Sequence, residues 1–588
     1  MSWEAWFTLA VVALTVVLLA REVMAPAGVV FGSVVVLLVA DVIEPPQAFG
    51  GFSNPAPITV AALYVVAAGI ERTGLLAPIV DAFLGGSGGT RSTLARLMVP
   101  TAASSAFLNN TPIVAMLVSP VTRWSQRNGH PVSRYLMPLS FAAVLGGMIT
   151  LIGTSTNVVV SGLLDASGRE PMGFFEISKV GLPVALVGLV FMLLFTPLLL
   201  PERRGARRDI EDVREFVVEM TVDPGGPLDG VTVEEGELRH LAGVFLAQVE
   251  RGDRVIAPAG PETVLVGGDV LRFVGNAADV ADLHSRRGIS PAVSNLLDGF
   301  TSQRLAFYEA VIGSSSPLNG RSLKAIGFRE RYRAAVIAIH RADQRVEGKL
   351  GDVRLRTGDT LLLIADPAFR TRWQGSPDFL LVSRLGSTDP PRSAKALPAA
   401  AIGIGVVVVA GVGWLPILET SLVGALLVVG FGVLTPYEAR VSVDINVIVV
   451  IASSFGLGAA LEATGLADRI ADGIVDGLSG AGNVAVLLGV VLATVALTEL
   501  ITNNAAAILM FPIAVSTAVT VGGDPRAYAI AVALAASASF LTPIGYQTNT
   551  MVWGPGGYRF GDYARVGFPL TIVAIAAITL LAPVFWTI

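Results

Sequence analysis

The 588-residue chain has no cysteine, which excludes disulfides, thiolate metal sites and cysteine nucleophiles. Histidine is scarce. His130 falls in a polar loop and His240, His284 and His340 fall in the central third, so no histidine relay runs through the apolar segments. Charged residues make up only 15%, against about 25% in soluble domains. The net charge of −5 offers no basic surface for nucleic acid. The glycine runs Gly85-Gly-Ser-Gly-Gly89 and Gly480-Ala-Gly482 are not followed by Gly-Lys-Ser/Thr, so they read as hinges or loops and not as phosphate cradles.

Apolar residues fill the gap, at 53% with a mean hydropathy of +0.67. Residues 201–396 hold 27 of the 41 Lys and Arg, which divides the chain into membrane repeat 1 (1–200), a soluble insert (201–396) and membrane repeat 2 (397–588). The run from Trp6 to Ala20 has no basic residue before Arg21, so it reads as a mature helix and not a signal peptide. A bilayer core needs about 20 apolar residues per helix. Candidate spans are 4–20, 26–44, 57–84, 132–165 and 178–200, then 397–413, 415–434, 443–476, 526–555 and 563–586. Two more apolar segments, 93–122 and 485–521, carry a polar cluster at mid-length and read as re-entrant hairpins.

With hairpins that do not cross, Arg21, Arg91, Arg96, Arg123, Arg127, Arg134, Arg203, Arg204, Arg207, Arg208, Arg440, Arg559 and Arg565 share one side. Asp41, Glu44 and the acidic stretch from Glu462 to Asp476 fall on the other. This predicts a multi-pass protein of the cell (inner) membrane with a cytoplasmic insert and both termini outside.

The halves repeat. Glu71-Arg-Thr-Gly-Leu75 recurs as Glu462-Ala-Thr-Gly-Leu466, Leu108-Asn-Asn-Thr111 as Ile501-Thr-Asn-Asn504, and Ile152-Gly-Thr-Ser-Thr-Asn157 as Ile544-Gly-Tyr-Gln-Thr-Asn549. Lys179-Val-Gly-Leu-Pro183 matches Arg565-Val-Gly-Phe-Pro569. Five spans per half starting on opposite sides predict an all-α polytopic inverted repeat, each half with its hairpin. The insert repeats as well: Pro227-Leu-Asp-Gly230 returns as Pro317-Leu-Asn-Gly320, and Gly268-Asp269 as Gly358-Asp359. Alternating runs at Val244–Val249 and Ala335–Ile339 read as strands, predicting two α/β modules at 210–288 and 302–386.

Polar backbone deep in a membrane lines a cavity or is buried in protein. Four places qualify: Asn109-Asn110-Thr111, Thr502-Asn503-Asn504, Gly153-Thr-Ser-Thr-Asn157 and Gly545-Tyr-Gln-Thr-Asn549, with Pro112 and Pro543 helping to interrupt the helices. Broken helices expose carbonyls that suit Na⁺ and amides that suit an anion. No Lys or Arg lies within 97–122, 135–168 or 527–558, so neutral donors would hold the anion and bound cations would supply the positive charge. Candidate sodium ligands are Asn110, Gly153, Asn157, Asn503, Gly545 and Asn549. Candidate anion contacts are Asn109, Thr111, Thr154, Ser155, Thr156, Thr502, Asn504, Gln547 and Thr548. The competing reading is that Asn and Thr bridge helices by hydrogen bonds. Glu499 is either a coupling acid or a cap bonded to backbone, and Asp444 reads as a helix N-terminal charge.

At the two hairpin tips the sequence resembles the divalent anion:sodium symporter (DASS) family, which carries Ser-Asn-Thr at each tip. The central Asn is retained at Asn110 and Asn503, and Thr498-Glu499-Leu500 is similar to the family's Thr-Glu-Phe. The flanking tip residues depart from the pattern. The stretch from Gly545 to Phe560 looks like the branch with tandem regulatory domains, and the insert resembles two RCK C-terminal domains of potassium-transport regulators. The resemblance implies a homodimer, an elevator mechanism, no cofactor beyond Na⁺ as coupling ion, a small dianion as substrate and a possible regulatory ligand on the insert. The expectation is sodium-coupled sulfate uptake, with a C4 dicarboxylate as the alternative substrate. A cation channel or potassium system gated by the insert is the alternative of another class, but a pore filter of the Thr-Val-Gly-Tyr-Gly kind is missing. No catalytic set is present, so the chain reads as a transporter and not an enzyme.

Overall fold

A computed structural model describes residues 1–21, 24–73, 89–202, 217–238, 244–252, 254–256, 259–275, 288–291, 306–313, 316–341, 344–346, 350–366, 368–373, 376, 378–384 and 395–588. Residues 85–88 of the first glycine run, the end of the 57–84 span, His240, His284, the arginines from 203 to 208 and the Pro390-Pro391 pair lie outside them. The chain divides into two compact units, residues 1–203 with 389–588, and residues 204–388.

The first unit is helical, and stop signals in the sequence set its elements. The first half has α1 (Trp3–Ala20), α2 (Pro26–Val39), α3 (Pro45–Phe49), α4 (Pro55–Arg72), α5 (Thr90–Ser105), α6 (Asn110–Arg127), α7 (Ser133–Gly147), α8 (Ser155–Ala166) and α9 (Ser178–Leu199). The second half has α10 (Ala396–Val412), α11 (Ile417–Gly430), α12 (Pro436–Ser442), α13 (Ile445–Ala463), α14 (Leu466–Leu478), α15 (Asn483–Thr498), α16 (Asn503–Val521), α17 (Pro525–Ser537), α18 (Gln547–Gly556) and α19 (Phe560–Phe585). Among the described residues, six helices are long and apolar enough to cross a bilayer. The protein is a multi-pass membrane protein.

Caps recur at matching places. Asn54 accepts from the Ala56 amide to start α4, and Asp444 accepts from the Asn446 and Val447 amides to start α13. Asp444 is therefore an N-cap, as its position in the sequence indicates. The 443–476 span differs from expectation: it is two helices, because Gly465 adopts φ 63° and the left-handed turn ends α13. The 26–44 span also stops early, at Val39, with Asp41 at φ 59°.

Contacts at the helix ends sort the unit into two groups. In one, Arg134 reaches Thr90 Oγ1 (3.3 Å) and Glu202, and the Tyr558 hydroxyl accepts from the Met137 amide (2.7 Å). In the other, Arg526 donates to Glu176 (2.5 Å) and the Pro171 carbonyl (2.8 Å), the Asp524 amide donates to the Thr587 carbonyl (2.8 Å), and Asn483 donates to the Ile588 carbonyl (2.9 Å).

Close helix approaches depend on glycine at repeated positions. A Cβ at Gly181 on α9 would overlap the Met148 carbonyl, and one at Gly567 on α19 would overlap the Phe540 carbonyl. These two glycines let α9 and α19 press against the irregular segments 148–154 and 538–546.

The second unit holds two antiparallel sheets of the same topology. Strands β1 (Val217–Val222), β2 (Val244–Arg251), β3 (Arg254–Ile256), β4 (Val270–Gly275) and β5 (Ile289–Pro291) run in the order β3-β2-β4-β1-β5. Strands β6 (Ala306–Val311), β7 (Ala334–Arg341), β8 (Gln344–Arg345), β9 (Thr360–Ala365) and β10 (Leu381–Arg384) run β10-β6-β9-β7-β8, the same order read from the other edge. Register slips at Leu246/Gln248 and again at Val336/Ala338. Each sheet packs one face on its own apolar core, around Leu271 and Phe273 in one and around Tyr308, Phe369 and Phe379 in the other.

Each module closes on the same clamp, a part-exposed arginine on a buried aspartate. Arg251 forks onto Asp269 at 2.8 and 2.7 Å, and Arg341 onto Asp359 at 2.8 and 2.8 Å. The carboxylates raise both guanidinium pKa values above the ordinary arginine value. Asp359 also accepts from the Arg356 amide (2.8 Å) and is fully buried. Replacing Asp359 by Ala should cost roughly 1.5–3 kcal/mol, the worth of hydrogen bonds to a charged group. In the full-length protein, β9 amides should then exchange hydrogen about 10 to 150 times faster while β4 amides do not change.

Candidate functional site

The two polar clusters expected to interrupt the apolar segments do interrupt them. Helix α5 stops at Ser105 and α6 starts at Asn110, while α15 stops at Thr498 and α16 starts at Asn503. The other two polar motifs lie at the starts of α8 and α18, after the irregular segments 148–154 and 538–546.

Hydrogen bonds join all four helix starts. The Thr156 hydroxyl donates to Asn504 Oδ1 (3.0 Å), and Ser155 Oγ lies 3.3 Å from the same oxygen. Thr154 Oγ1 lies 3.2 Å from the Tyr546 hydroxyl. That hydroxyl lies 2.6 Å from the Asn110 amide, and Thr111 donates to Gln547 Oε1 (3.2 Å). The chain of contacts therefore runs from α16 to α8, from α8 to the cap of α18, and from there to α6. The starts of α6, α8, α16 and α18 meet in one place.

The N-cap residues of α8, α16 and α18 are Thr154, Thr502 and Tyr546, and none caps its helix with its side chain. Their first-turn amides therefore receive no bond from the cap side chain. Each helix start carries the equivalent of about half a positive charge. Converging starts of this kind attract an anion without a Lys or Arg.

Two asparagines staple the irregular segments with the same geometry. Asn157 Nδ2 donates to the carbonyls of Gly147 (3.2 Å) and Thr150 (2.9 Å). Asn549 Nδ2 donates to the carbonyls of Ser539 (3.1 Å) and Thr542 (3.2 Å). Their oxygens differ. Asn549 Oδ1 accepts from Ser140 Oγ (2.8 Å), and Thr548 Oγ1 lies 2.9 Å from the same Ser140 oxygen. Asn157 Oδ1 is buried with no hydrogen-bond donor. An orphaned buried oxygen of this kind suits a cation.

Asn110 is fully buried. The orientation that satisfies its amide points the nitrogen at Gly153 O (3.2 Å), Ser105 Oγ (2.6 Å) and Ala143 O (3.0 Å), and the oxygen at the Tyr546 hydroxyl (2.6 Å). It packs where a Cβ on Gly147 would stand. Asn110 thus touches the irregular segment of its own half and also crosses to Tyr546, and Thr111 and Asn504 likewise bond across to the opposite half. The repeated motifs alone do not disclose this crossing.

The other candidates sit less centrally. Asn109 lines a largely apolar cavity of about 440 Å³ with Tyr64, Leu108 and Ser155. Thr502 is exposed. Gly545 donates its amide to Thr542 Oγ1 (3.0 Å). Glu499 accepts from the Leu541 amide (3.0 Å) and the Thr542 hydroxyl (3.0 Å), which is the backbone-bonded arrangement. Tyr546 was not among the sequence candidates, although it lies inside one of the four motifs.

The CitMHS family, described as citrate transporters, matches residues 15–533. The chain belongs to the citrate transporter family. Similar proteins include an uncharacterised transporter of Synechocystis sp., 37% identical over 93% of this chain and 91% of that one. Another is the uncharacterised transporter YfbS of Escherichia coli, 31% identical over the full length of both. The sodium/sulfate cotransporter 1 of Chlamydomonas reinhardtii is 25% identical over 97% of this chain and 89% of that one. Citrate transporter family members are transporters, and this protein is not an enzyme.

The Glu499 contacts separate two roles. Glu499→Ala leaves the Leu541 amide and the Thr542 hydroxyl without their acceptor and should cost roughly 1.5–3 kcal/mol in thermal unfolding. Glu499→Gln keeps an acceptor oxygen and lets the Thr542 hydroxyl rotate, so its stability should stay within about 1 kcal/mol of the parent.

Proposed function

We propose that the protein is a sodium-coupled importer of a small dianion, with sulfate as the substrate, at the cell (inner) membrane. The observation that carries this is the meeting of four helix starts at a hydrogen-bonded cluster of Asn, Thr, Ser, Gln and Tyr, inside segments free of Lys and Arg. Such a site favours an anion by partial charges but does not neutralise it. Moving a dianion inward against −100 mV costs about 4.6 kcal/mol, at about 2.3 per charge. Co-bound cations supply both the missing charge and the driving force. The buried, unpaired Asn157 Oδ1 offers one of them a ligand, and we assign the Gly153 carbonyl and Asn110 to the same cation. Asn503, Gly545 and Asn549 form the corresponding set in the second half. Thr111, Thr154, Ser155, Thr156, Asn504, Gln547 and Thr548 face the anion, with Asn109 and Thr502 at the margin.

The name of the Chlamydomonas relative supports sodium and sulfate, and the family description supports a carboxylate. A C4 dicarboxylate is therefore the second substrate to test. The end contacts support two hairpins entering from opposite faces. Thr90 and Trp124, at the outer ends of α5 and α6, both lie near the start of α7, through Arg134 (3.3 Å) and Tyr135 (ring centroids 5.3 Å). The start of α15 and the loop after α16 both lie near the C-terminus. With the arginine distribution, these contacts support our reading of an inverted repeat with a cytoplasmic insert and both termini outside. We read the two insert modules as RCK C-terminal domains that bind a small regulatory ligand, and the assembly as a homodimer working by an elevator movement.

Proteoliposome uptake of labelled sulfate and succinate tests the reading. Sulfate uptake should require an inward Na⁺ gradient. Uptake unchanged when choline replaces Na⁺, but abolished by a protonophore, would refute sodium coupling. Asn110→Ala and Asn503→Ala should each lower apparent Na⁺ affinity roughly 10- to 150-fold, the equivalent of one lost bond to a charged group. Replacing 209–388 by a short linker should leave substrate binding intact and change the transport rate or its control. Complete loss of binding in a folded, dimeric deletion protein would count against a regulatory insert.

A further inference from the structure

Ser140 lies on α7 of the first half, yet its hydroxyl reaches two residues of the second. Its Oγ lies 2.8 Å from Asn549 Oδ1 and 2.9 Å from Thr548 Oγ1. All three residues are fully buried. Asn549 cannot turn its nitrogen toward Ser140, because Nδ2 is held by the Ser539 and Thr542 carbonyls (3.1 and 3.2 Å). Its oxygen therefore only accepts. A serine hydroxyl has one proton to give. Two acceptors lie within its reach, and only one of them holds the proton at a time.

The first half has no such arrangement. Asn157 and Asn549 hold corresponding carbonyls, and on that spacing Ser140 corresponds to Val532, which has no hydroxyl. Asn157 Oδ1 has no donor. Thr156, the counterpart of Thr548, gives its proton to Asn504 Oδ1 (3.0 Å). One proton shared between two acceptors is thus a feature of the second half-site.

We propose that Ser140 is a positioning residue whose single proton turns from Asn549 to Thr548 when a cation binds Asn549, and that this turn raises affinity for the dianion. The proposal rests on the cation and anion assignments made above. A cation on Asn549 Oδ1 repels the proton that Ser140 aims at the same oxygen. The hydroxyl rotates and offers that proton to Thr548 Oγ1. Thr548 then accepts from Ser140, and its own proton points elsewhere, free for the anion. A hydroxyl that accepts one hydrogen bond donates a stronger one. The step is a rotation, and no proton leaves its oxygen.

Equilibrium binding of labelled sulfate and succinate to the purified full-length protein tests it. Affinities are read at low and at saturating Na⁺, with choline as the replacement and saturation set by titration for each variant. In the parent, affinity for whichever dianion binds should rise with Na⁺. Ser140→Ala should shrink that rise about three- to tenfold, the worth of one hydrogen bond. A residue that only packs the helices would lower both affinities by one factor and leave the rise as it was; that result overturns the proposal. Thr548→Val should shrink the rise as well, and adding Ser140→Ala to it should shrink it no further. A further shrinkage in the double variant also overturns the proposal. Should Ser140→Ala not fold, Thr548→Val decides alone: equal losses of affinity at low and at saturating Na⁺ mean that Thr548 serves the anion without a switch. A parent whose dianion affinity ignores Na⁺ refutes the sodium reading and the switch together, whereas a Na⁺-dependent parent with an unaltered Ser140→Ala variant refutes the switch alone.

Discussion

Backbone that leaves a helix inside a bilayer finds no water, so every amide and carbonyl it frees needs a partner within the protein. This chain breaks its helices four times inside apolar sequence, and the rest of the membrane unit is arranged to meet that demand. Asn157 and Asn549 each tie down two carbonyls of the segment before their helix. Gly181 and Gly567 let the last helix of each half press on the same segments without a Cβ in the way. The Thr150 hydroxyl donates to the Ala106 carbonyl, and Glu499 receives the Leu541 amide and the Thr542 hydroxyl. The caps of α8, α16 and α18 leave their side chains off the first-turn amides, at the place where these helix starts meet.

An anion held this way meets partial charges spread over four helix ends. Such a site attracts a dianion but leaves it short of full compensation. In the function proposed above, that shortfall is what links binding to cations: the affinity that an arginine would supply permanently comes from an ion that arrives and leaves with the substrate. The orphaned oxygen of Asn157, against the Ser140-bonded oxygen of Asn549, makes the two half-sites unequal despite their shared backbone geometry.

The helix breaks were legible because Pro, Gly and Asn interrupt apolar runs in a chain that otherwise contains little polar sequence. The insert was legible because its charge density changes abruptly and its motifs return at a fixed spacing, which the clamps at Asp269 and Asp359 obey. Other features needed coordinates. A repeat relates residues within a chain but does not say which half a side chain crosses to, so the bonds from Thr111 to Gln547 and from Asn504 to Thr156 could not be read from spacing. Tyr546 replaces Thr154 in the aligned motif, and a sequence search for matches passes over the position that differs. The break at Gly465 was hidden because one glycine in an otherwise helix-compatible run reads equally well as part of a helix, and only its positive φ stops it.

The divergence between the halves also bears on Glu499. Its place in the second repeat corresponds to Ala106 in the first, where the Ala106 carbonyl accepts from Thr150. Thr542 corresponds to Thr150, and it donates to the Glu499 carboxylate. The same hydroxyl in the same part of the fold thus meets a main-chain acceptor in one half and a side-chain acceptor in the other. The carboxylate does more than the carbonyl, since its second oxygen also takes the Leu541 amide. A repeat that has lost one backbone contact and replaced it with a longer side chain needs an acid at that position for its shape alone. The acid is therefore accounted for by the backbone it holds, and proton coupling is not required to explain why an acid sits within an apolar segment. The coupling ion is then to be sought among the neutral oxygens of the asparagines and the broken helix ends.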